Sequence, residues 1–216
     1  MSPLIVKLIW QSTLQTLEMV FASTAIAVAV GLPLAVFLIA TGPAKLYRLP
    51  VLPRLIGLLV DAARAVPFII LLVVLIPVTR FIAGTSLGTA AAIVPLSIAA
   101  IPYFARIAEV ALAEVDPGLI DAVRAMGGTR LSIIRSVLLP EAMPGLIGGL
   151  TVTLITMVGA SAMAGMIGAG GLGDLAIRYG YQRYNTTVMI WVVVVLIVMV
   201  CLMQWGGNAL ARRLRR

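Results

Sequence analysis

The run Trp191-Val192-Val193-Val194-Val195-Leu196-Ile197-Val198-Met199-Val200-Cys201-Leu202 contains no charged side chain. Extended to its flanks, from about Thr187 to Leu210, it is long enough to cross the hydrocarbon core of a bilayer as a helix, which takes about 20 mostly apolar residues. Four more stretches of this kind lie upstream, from about Leu17 to Ala40, Leu58 to Thr79, Leu87 to Leu112 and Pro144 to Ile167. Composition agrees: 62% of the 216 residues are hydrophobic and only 11% are charged, where a soluble domain carries about a quarter charged residues. These observations predict an all-α, polytopic integral membrane protein with five transmembrane helices and one membrane domain over residues 1–216. The prolines inside the second and third stretches (Pro67, Pro77, Pro95, Pro102) predict kinks, tolerated where neighbouring helices or water satisfy the freed carbonyls.

The charges orient the spans. Lys45, Arg48, Arg54 and Arg64 lie between the first two spans. Arg106, Arg124, Arg130 and Arg135 lie around the end of the third and the loop after it, and Arg212, Arg213, Arg215 and Arg216 follow the fifth. Lys7, Arg80, Arg178 and Arg183 fall on the other side, so the asymmetry is twelve to four. By the positive-inside rule the N-terminus is expected outside and the C-terminus inside. The first stretch, preceded by one lysine and too long for a signal-peptide core, reads as a retained helix. The net charge of +8 therefore reads as orientation of helices, and nucleic acid is not an expected partner.

Several chemistries lack their residues. There is no histidine and one cysteine, Cys201, so the usual zinc ligand sets are missing and no disulfide forms within the chain. Gly168-Ala169-Gly170-Gly171-Leu172-Gly173 matches G-x-G-x-x-G but follows a spanning helix, not a strand, so it is not a dinucleotide fingerprint. Its glycines are expected to turn an outer loop sharply against a neighbour. No G-x-x-x-x-G-K-[ST] is present, so ATP-driven work requires another polypeptide. The ionisable residues Glu18, Asp61, Arg64, Arg106, Glu109 and Glu141 fall near span ends. Arg106 and Glu109, three apart on one helix, are expected to pair.

The inner segment Val115-Asp116-Pro117-Gly118-Leu119-Ile120-Asp121-Ala122-Val123-Arg124-Ala125-Met126-Gly127-Gly128-Thr129 carries the most local information. Asp116 and Pro117 read as N-cap and first helical residue. Gly127 and Gly128 end the helix, and Thr129 caps a second helix that is expected to stop at Pro140. Leu119, Val123 and Met126 fall on one stripe. Spacing alone supports an interfacial helix on lipid headgroups and a plug docked on a cytoplasmic partner equally.

The same residues resemble a known family. Asp121-Ala122-Val123, three residues, Gly127, nine residues and Val137-Leu138-Leu139-Pro140 are similar to the pattern EAA, three residues, Gly, nine residues, I-x-L-P of permease subunits of ATP-binding cassette (ABC) importers. The departures are Asp for Glu, Val for the second Ala, and Val for Ile. Further stretches resemble the methionine-importer permeases within that class: Arg64–Leu72, Ile76–Arg80, Gly84–Gly88, Gly168–Gly173 and Tyr179–Asn185. The resemblance implies the type I ABC importer permease fold, with a permease core at about 13–204 and a cytoplasmic coupling loop at about 116–140. It also implies that Asp121, Ala122, Val123, Arg124, Gly127, Val137, Leu139 and Pro140 serve ATPase coupling.

The implied assembly is a homodimer with two cytoplasmic ABC ATPases and an extracytoplasmic methionine-binding lipoprotein, in the bacterial inner membrane. The chain itself would be no enzyme and hold no cofactor, ATP and magnesium binding to the partner ATPase. The implied function is import of methionine, in the L or D form, by alternating access. A permease for a polar amino acid or betaine, and an ion-coupled secondary carrier, are the alternatives. The fourth span carries Gly159-Ala160-Ser161-Ala162-Met163-Ala164-Gly165. Small residues at four-residue spacing pack helices closely, within a subunit or across a seam between subunits. Met163 and Ser161 are the candidates for a gate on the path, a flexible thioether being able to close a narrow gap.

Overall fold

The computed structural model describes residues 3–42 and 51–214. Lys45, Arg48, Arg215 and Arg216 of the charge count lie outside the described residues. Among the described residues all regular structure is helical: α1 (Pro3–Thr41), α2 (Leu52–Ala65), α3 (Phe68–Val74), α4 (Ile76–Ala83), α5 (Thr89–Ala113), α6 (Pro117–Ala125), α7 (Arg130–Ile133), α8 (Leu139–Gly165), α9 (Gly171–Leu175) and α10 (Thr186–Leu214). Two π-helical turns, Ile134–Leu138 and Ala176–Tyr181, join α7 to α8 and extend α9. Helix α5 packs along α1 and α8, and α10 packs on α8. The core between them is built from small and medium side chains, among them Ala27, Ala35, Leu96, Ala100, Ala105 and Ala108. Alanine on facing helices brings backbones close, which suits a medium that offers no hydrophobic drive between helices.

Four segments are long and apolar enough to cross a bilayer: Pro3–Thr41, Thr89–Ala113, Arg130–Gly165 and Thr186–Leu214. The second expected span differs. It is broken at Val66–Pro67, where α2 and α3 meet at 102°. Proline excludes the α conformation from the residue before it, and Val66 is extended (φ −78°, ψ 124°). Pro77 falls in the first turn of α4, where its missing N–H costs nothing. Pro95 and Pro102 are carried inside α5 and interrupt nothing.

Two boundaries also differ from expectation. Helix α1 begins at Pro3, not near Leu17, and its 39 residues rise about 58 Å at 1.5 Å per residue, well beyond a hydrocarbon core about 30 Å thick. Pro140 does not stop the second inner helix. The preceding turn widens to π geometry, with Leu139 N–H bonded to the Ile134 carbonyl, five residues back. An inserted residue of this kind moves the hydrogen-bond register. Pro140 thereby enters the first turn of α8, and the helix runs on from Arg130 to Gly165.

Candidate functional site: an exposed helix hairpin and the open face of the fourth span

Helix α6 is capped at both ends by its own sequence. The Asp116 carboxylate accepts a hydrogen bond from Gly118 N–H at 2.8 Å. At the other end Gly127 takes φ +78°, Gly127 N–H donates to the Arg124 carbonyl at 3.0 Å, and Gly128 N–H donates to the Val123 carbonyl at 2.9 Å. These paired bonds are the Schellman arrangement, which requires the left-handed residue that glycine supplies. Gly128 has ordinary φ, but a Cβ on it would meet the Val123 carbonyl oxygen at 2.8 Å. Thr129 then caps α7, its hydroxyl accepting from Ser132 N–H at 3.2 Å. The hairpin is thus closed by four residues, Asp116, Gly127, Gly128 and Thr129, and each does a separate job.

Of the stripe Leu119, Val123 and Met126, only Val123 is half-buried against the core. Ile120 is the buried residue of α6, in one apolar cluster with Ile133, Val137 and Leu138. Leu119 is exposed and Met126 is 78% exposed. The helix is short and touches the body through one edge, so most of its circumference stays open. Asp121, Ala122, Arg124 and Gly127 all lie on that open surface. Arg124 Nη1 and Asp121 Oδ1 pair at 3.2 Å. Val137 is buried and Leu139 half-buried at the root of the hairpin, and Pro140 is exposed beside it. The eight residues therefore split into a presented surface and an anchor.

The hairpin is inserted between two long helices. Only Glu114, Val115 and Asp116 separate α6 from α5, and α7 is continuous with α8 through the π turn. On α5 the Arg106 guanidinium pairs with Glu109 at 2.8 Å, as the spacing predicted, and also with Asp61 of α2 at 3.6 Å. Asp61 in turn lies 3.5 Å from Arg64.

Ser161 and Met163 part company. Ser161 is buried, and its hydroxyl donates to the Val158 carbonyl of its own helix at 2.8 Å. Gly165 sits where a Cβ would meet Asp174 N at 2.5 Å. The small residues at this end of α8 thus pack against α9 within one protomer, and Ser161 does not line an open surface. Met163 is 45% exposed, on a face with Val152, Thr156, Gly159 and Met166. The spacing of these five alternates four and three, which keeps them on one side of the helix. Thr156 Oγ1 lies 3.2 Å from the Tyr103 hydroxyl of α5. Val152, Thr156, Gly159 and Met166 escape sequence reasoning that looks only for small pairs; the four–three alternation was the available signal.

The glycine loop turns as expected, with positive φ at Gly168, Gly170 and Gly171. Its backbone is held by α1: Gly171 N–H donates to Gln15 Oε1 at 2.9 Å, and Leu172 N–H to Thr16 Oγ1 at 2.9 Å. The donors that would cradle a phosphate are already taken. Beyond the loop Arg178 pairs with the buried Asp174, and this hydrogen bond raises the guanidinium above its ordinary value.

Comparison with known proteins places this architecture. Residues 27–216 match the family model described as binding-protein-dependent transport system inner membrane component. The chain is 52% identical over 206 residues to the "Probable D-methionine transport system permease protein MetI" of Vibrio cholerae, covering 95% of this chain and 92% of that protein. It is 49% identical over 162 residues to the D-methionine transport system permease protein MetI of Escherichia coli K12, covering 75% of this chain and 73% of that protein. Among solved structures, a chain of the MetNI methionine ABC transporter in an inward-facing conformation superposes with a TM-score of 0.98 at 48% identity, over 100% of both chains. An amino acid ABC transporter solved with histidines shares the fold at a TM-score of 0.80 and 22% identity, over 96% of this chain and 94% of that one. The chain belongs to the family of inner membrane components of binding-protein-dependent transport systems.

Proposed function

We propose that this chain is the permease subunit of an ATP-driven methionine importer in the bacterial inner membrane, and that it catalyses no reaction itself. The observation that carries the mechanism is the hairpin of α6 and α7: a capped helix with an open surface, joined by short links to α5 and α8. An ATPase seated on Asp121, Ala122, Arg124 and Gly127 would move the ends of both helices together, while Val123, Val137, Leu139 and Pro140 hold the hairpin to its root. ATP and magnesium bind to that partner. The names of the relatives and the likeness to the inward-facing transporter support both the solute and the ATPase.

In this reading the protomer works as a homodimer with two ATPases, and an extracytoplasmic methionine-binding lipoprotein delivers the solute. The single membrane domain spans residues 1–216, with its core at about 13–204 and its coupling loop at about 116–140. The bent α2–α3 pair forms a fifth span, the N-terminus is outside and the C-terminus inside. The open face of α8, with Met163 at its outer part, meets the partner copy across the path. That face mixes apolar side chains with the Thr156 hydroxyl and the bare Gly159 backbone, a composition that fits a seam better than lipid. ATP binding would draw the ATPases together, tilt α5 and α8, and open the path outward.

The test is uptake of labelled methionine by proteoliposomes holding the permease with its ATPase and binding protein. Uptake that requires ATP on the ATPase side, competed by methionine and not by polar amino acids or betaine, is expected. Uptake by the permease alone under an ion gradient would overturn the reading in favour of a secondary carrier.

A further inference from the structure

The hydroxyls of α8 are of two kinds. Thr151, Thr153 and Ser161 are buried, and each donates to a carbonyl of its own helix, at Ile147, Gly149 and Val158. Thr156 likewise reaches its own helix, with the Val152 carbonyl at 2.9 Å, but it is exposed and a second hydroxyl stands beside it, that of Tyr103 on α5 at 3.2 Å. Among the exposed residues of α8 and its end from Val152 to Met166, only Thr156 carries a polar side chain. Tyr103 is also out of the usual place for its type. It lies about 21 Å of helix rise from the start of α5 and about 15 Å from its end. Tyrosine concentrates at membrane–water boundaries, as Tyr179, Tyr181 and Tyr184 do just ahead of α10. A phenol in the middle of a span is costly unless its oxygen is bonded.

Two protons serve this pair. With the Thr156 proton on the Val152 carbonyl, the Tyr103 proton goes to Thr156 Oγ1, and the phenol oxygen keeps lone pairs for an incoming donor. Turned outward, the same phenol proton goes to an incoming acceptor. One rotation about the C–O bond therefore converts the pair from a receiver of N–H groups into a donor to a carboxylate. The neighbouring surface is apolar or bare. Gly159 lies about 4.5 Å further along α8 and Met163 about 10.5 Å, and a Cβ on Gly159 would meet nothing within 4 Å. The space over Gly159 thus runs from an amphoteric point to a thioether.

We propose that the Tyr103–Thr156 pair is a polar station on the path, receiving the ammonium and then the carboxylate of a passing α-amino acid while the apolar side chain of that amino acid lies over Gly159 toward Met163. A primary ammonium brings three donors to the phenol oxygen, and the carboxylate accepts from the phenol once its proton turns outward. Without such partners a zwitterion in the middle of the bundle loses its hydration uncompensated. A quaternary ammonium brings no donor, so the pair favours primary α-amino acids over betaines. The inference rests on the reading that the open face of α8 lines the path.

The permease with its ATPase and binding protein would be placed in liposomes, and labelled methionine uptake measured together with ATP hydrolysis. Tyr103→Phe and Thr156→Val each delete a hydroxyl and nearly keep the shape. Each should lower the methionine taken up per ATP hydrolysed by about tenfold, the equivalent of about 1.4 kcal/mol, while hydrolysis stimulated by loaded binding protein continues. Thr156→Ser restores the hydroxyl and should restore the ratio. An unchanged ratio in Tyr103→Phe and Thr156→Val would overturn the proposal, as would a loss that Thr156→Ser shares. So would a fall in the dimer fraction of both variants on native gels with a normal ratio in the dimers that remain, which would assign the hydroxyls to the seam. The underlying reading is tested separately with Gly159→Cys in a Cys201→Ser background. Modification by a water-soluble thiol reagent in the assembled complex, with or without ATP, is expected and keeps the path on this face whatever the hydroxyl variants do. No modification in either condition would overturn the path reading and the station with it.

Discussion

Gly127 and Gly128 stand side by side for different physical reasons, and that difference can be measured. At Gly127 a Cβ would enter open space, but φ is +78°. At Gly128 φ is ordinary, but a Cβ would collide with Val123 of its own helix. Valine at position 127 therefore strains only the backbone, by about 1–3 kcal/mol for a non-glycine residue held in the left-handed region, with a β-branched side chain at the upper end. That energy corresponds to a roughly 5- to 150-fold shift against the closed turn. A shift of this size removes the Schellman bonds at 3.0 and 2.9 Å from most molecules when the turn is marginally stable. If the ATPase seats on this hairpin as proposed, its affinity would fall with the competent fraction. Asparagine visits the left-handed region routinely, so Gly127→Asn should bind and couple nearly as the parent does. At position 128 no conformational tolerance helps, and Gly128→Ala and Gly128→Asn should both fail. The assay is copurification of the ATPase with each permease variant, followed by ATP hydrolysis stimulated by loaded binding protein in liposomes. Normal coupling in Gly127→Val, or equal damage from Gly127→Val and Gly127→Asn, would refute the reasoning from backbone geometry.

The remaining predictions concern orientation and the two sides of α8. With Cys201→Ser as background, Ala125→Cys and Gln182→Cys place thiols on exposed residues at opposite ends of the bundle; an impermeant maleimide added to spheroplasts should label only the second. Gly165→Ala inserts a methyl against the α9 backbone and should lower stability in detergent by about 1–3 kcal/mol through overpacking, whereas Gly159→Ala, where a Cβ meets nothing, should leave the melting temperature of the protomer unchanged. Met163→Ala should raise basal ATP hydrolysis or solute leak without loss of protomer stability, because the side chain is 45% exposed; unchanged hydrolysis, leak and uptake would make it an ordinary surface methionine.

What was legible in the sequence was local or periodic. Asp116-Pro117 and Gly127-Gly128-Thr129 declare a helix start, stop and restart through backbone chemistry that needs no tertiary partner, and the structure reproduces all three. The apolar stretches declare membrane helices because lipid demands length and composition alone. What was not legible depended on competition between neighbours. Pro140 looks like a terminator until the π turn beside it absorbs the missing donor, and Pro67 looks like a kink although it breaks the helix outright. Ser161 and Met163 are two residues apart, so on a helix they point about 200° apart, and of the two only Met163 is on the exposed face of α8. The identity of Ile120 as the buried residue required knowing that only one edge of α6 touches the body.

In the proposed function the hairpin would be mechanically useful because of what it is tied to. A short helix attached by flexible linkers would rotate in place when its partner moved. Here α6 follows α5 after Glu114, Val115 and Asp116, and Val115 is itself buried. On the other side α7 continues into α8 as one helical segment. In the proposed function a displacement of α6 would be delivered to α5 and α8 at once, and α2 would follow through the Arg106–Asp61 pair. That pair is half-exposed, so its own energy is small, about 1 kcal/mol or less. Its value is directional: it ties α5 to α2 about one turn before the 102° break. Loss of Asp61 by Asp61→Asn should weaken this tie while Arg106 keeps Glu109 as partner at 2.8 Å. If α2 is carried by that tie, the variant should bind the ATPase normally yet respond less to loaded binding protein. Weakened ATPase binding in Asp61→Asn would place the fault in the hairpin instead, and full stimulation would show that packing of α2 on α5 alone carries the motion.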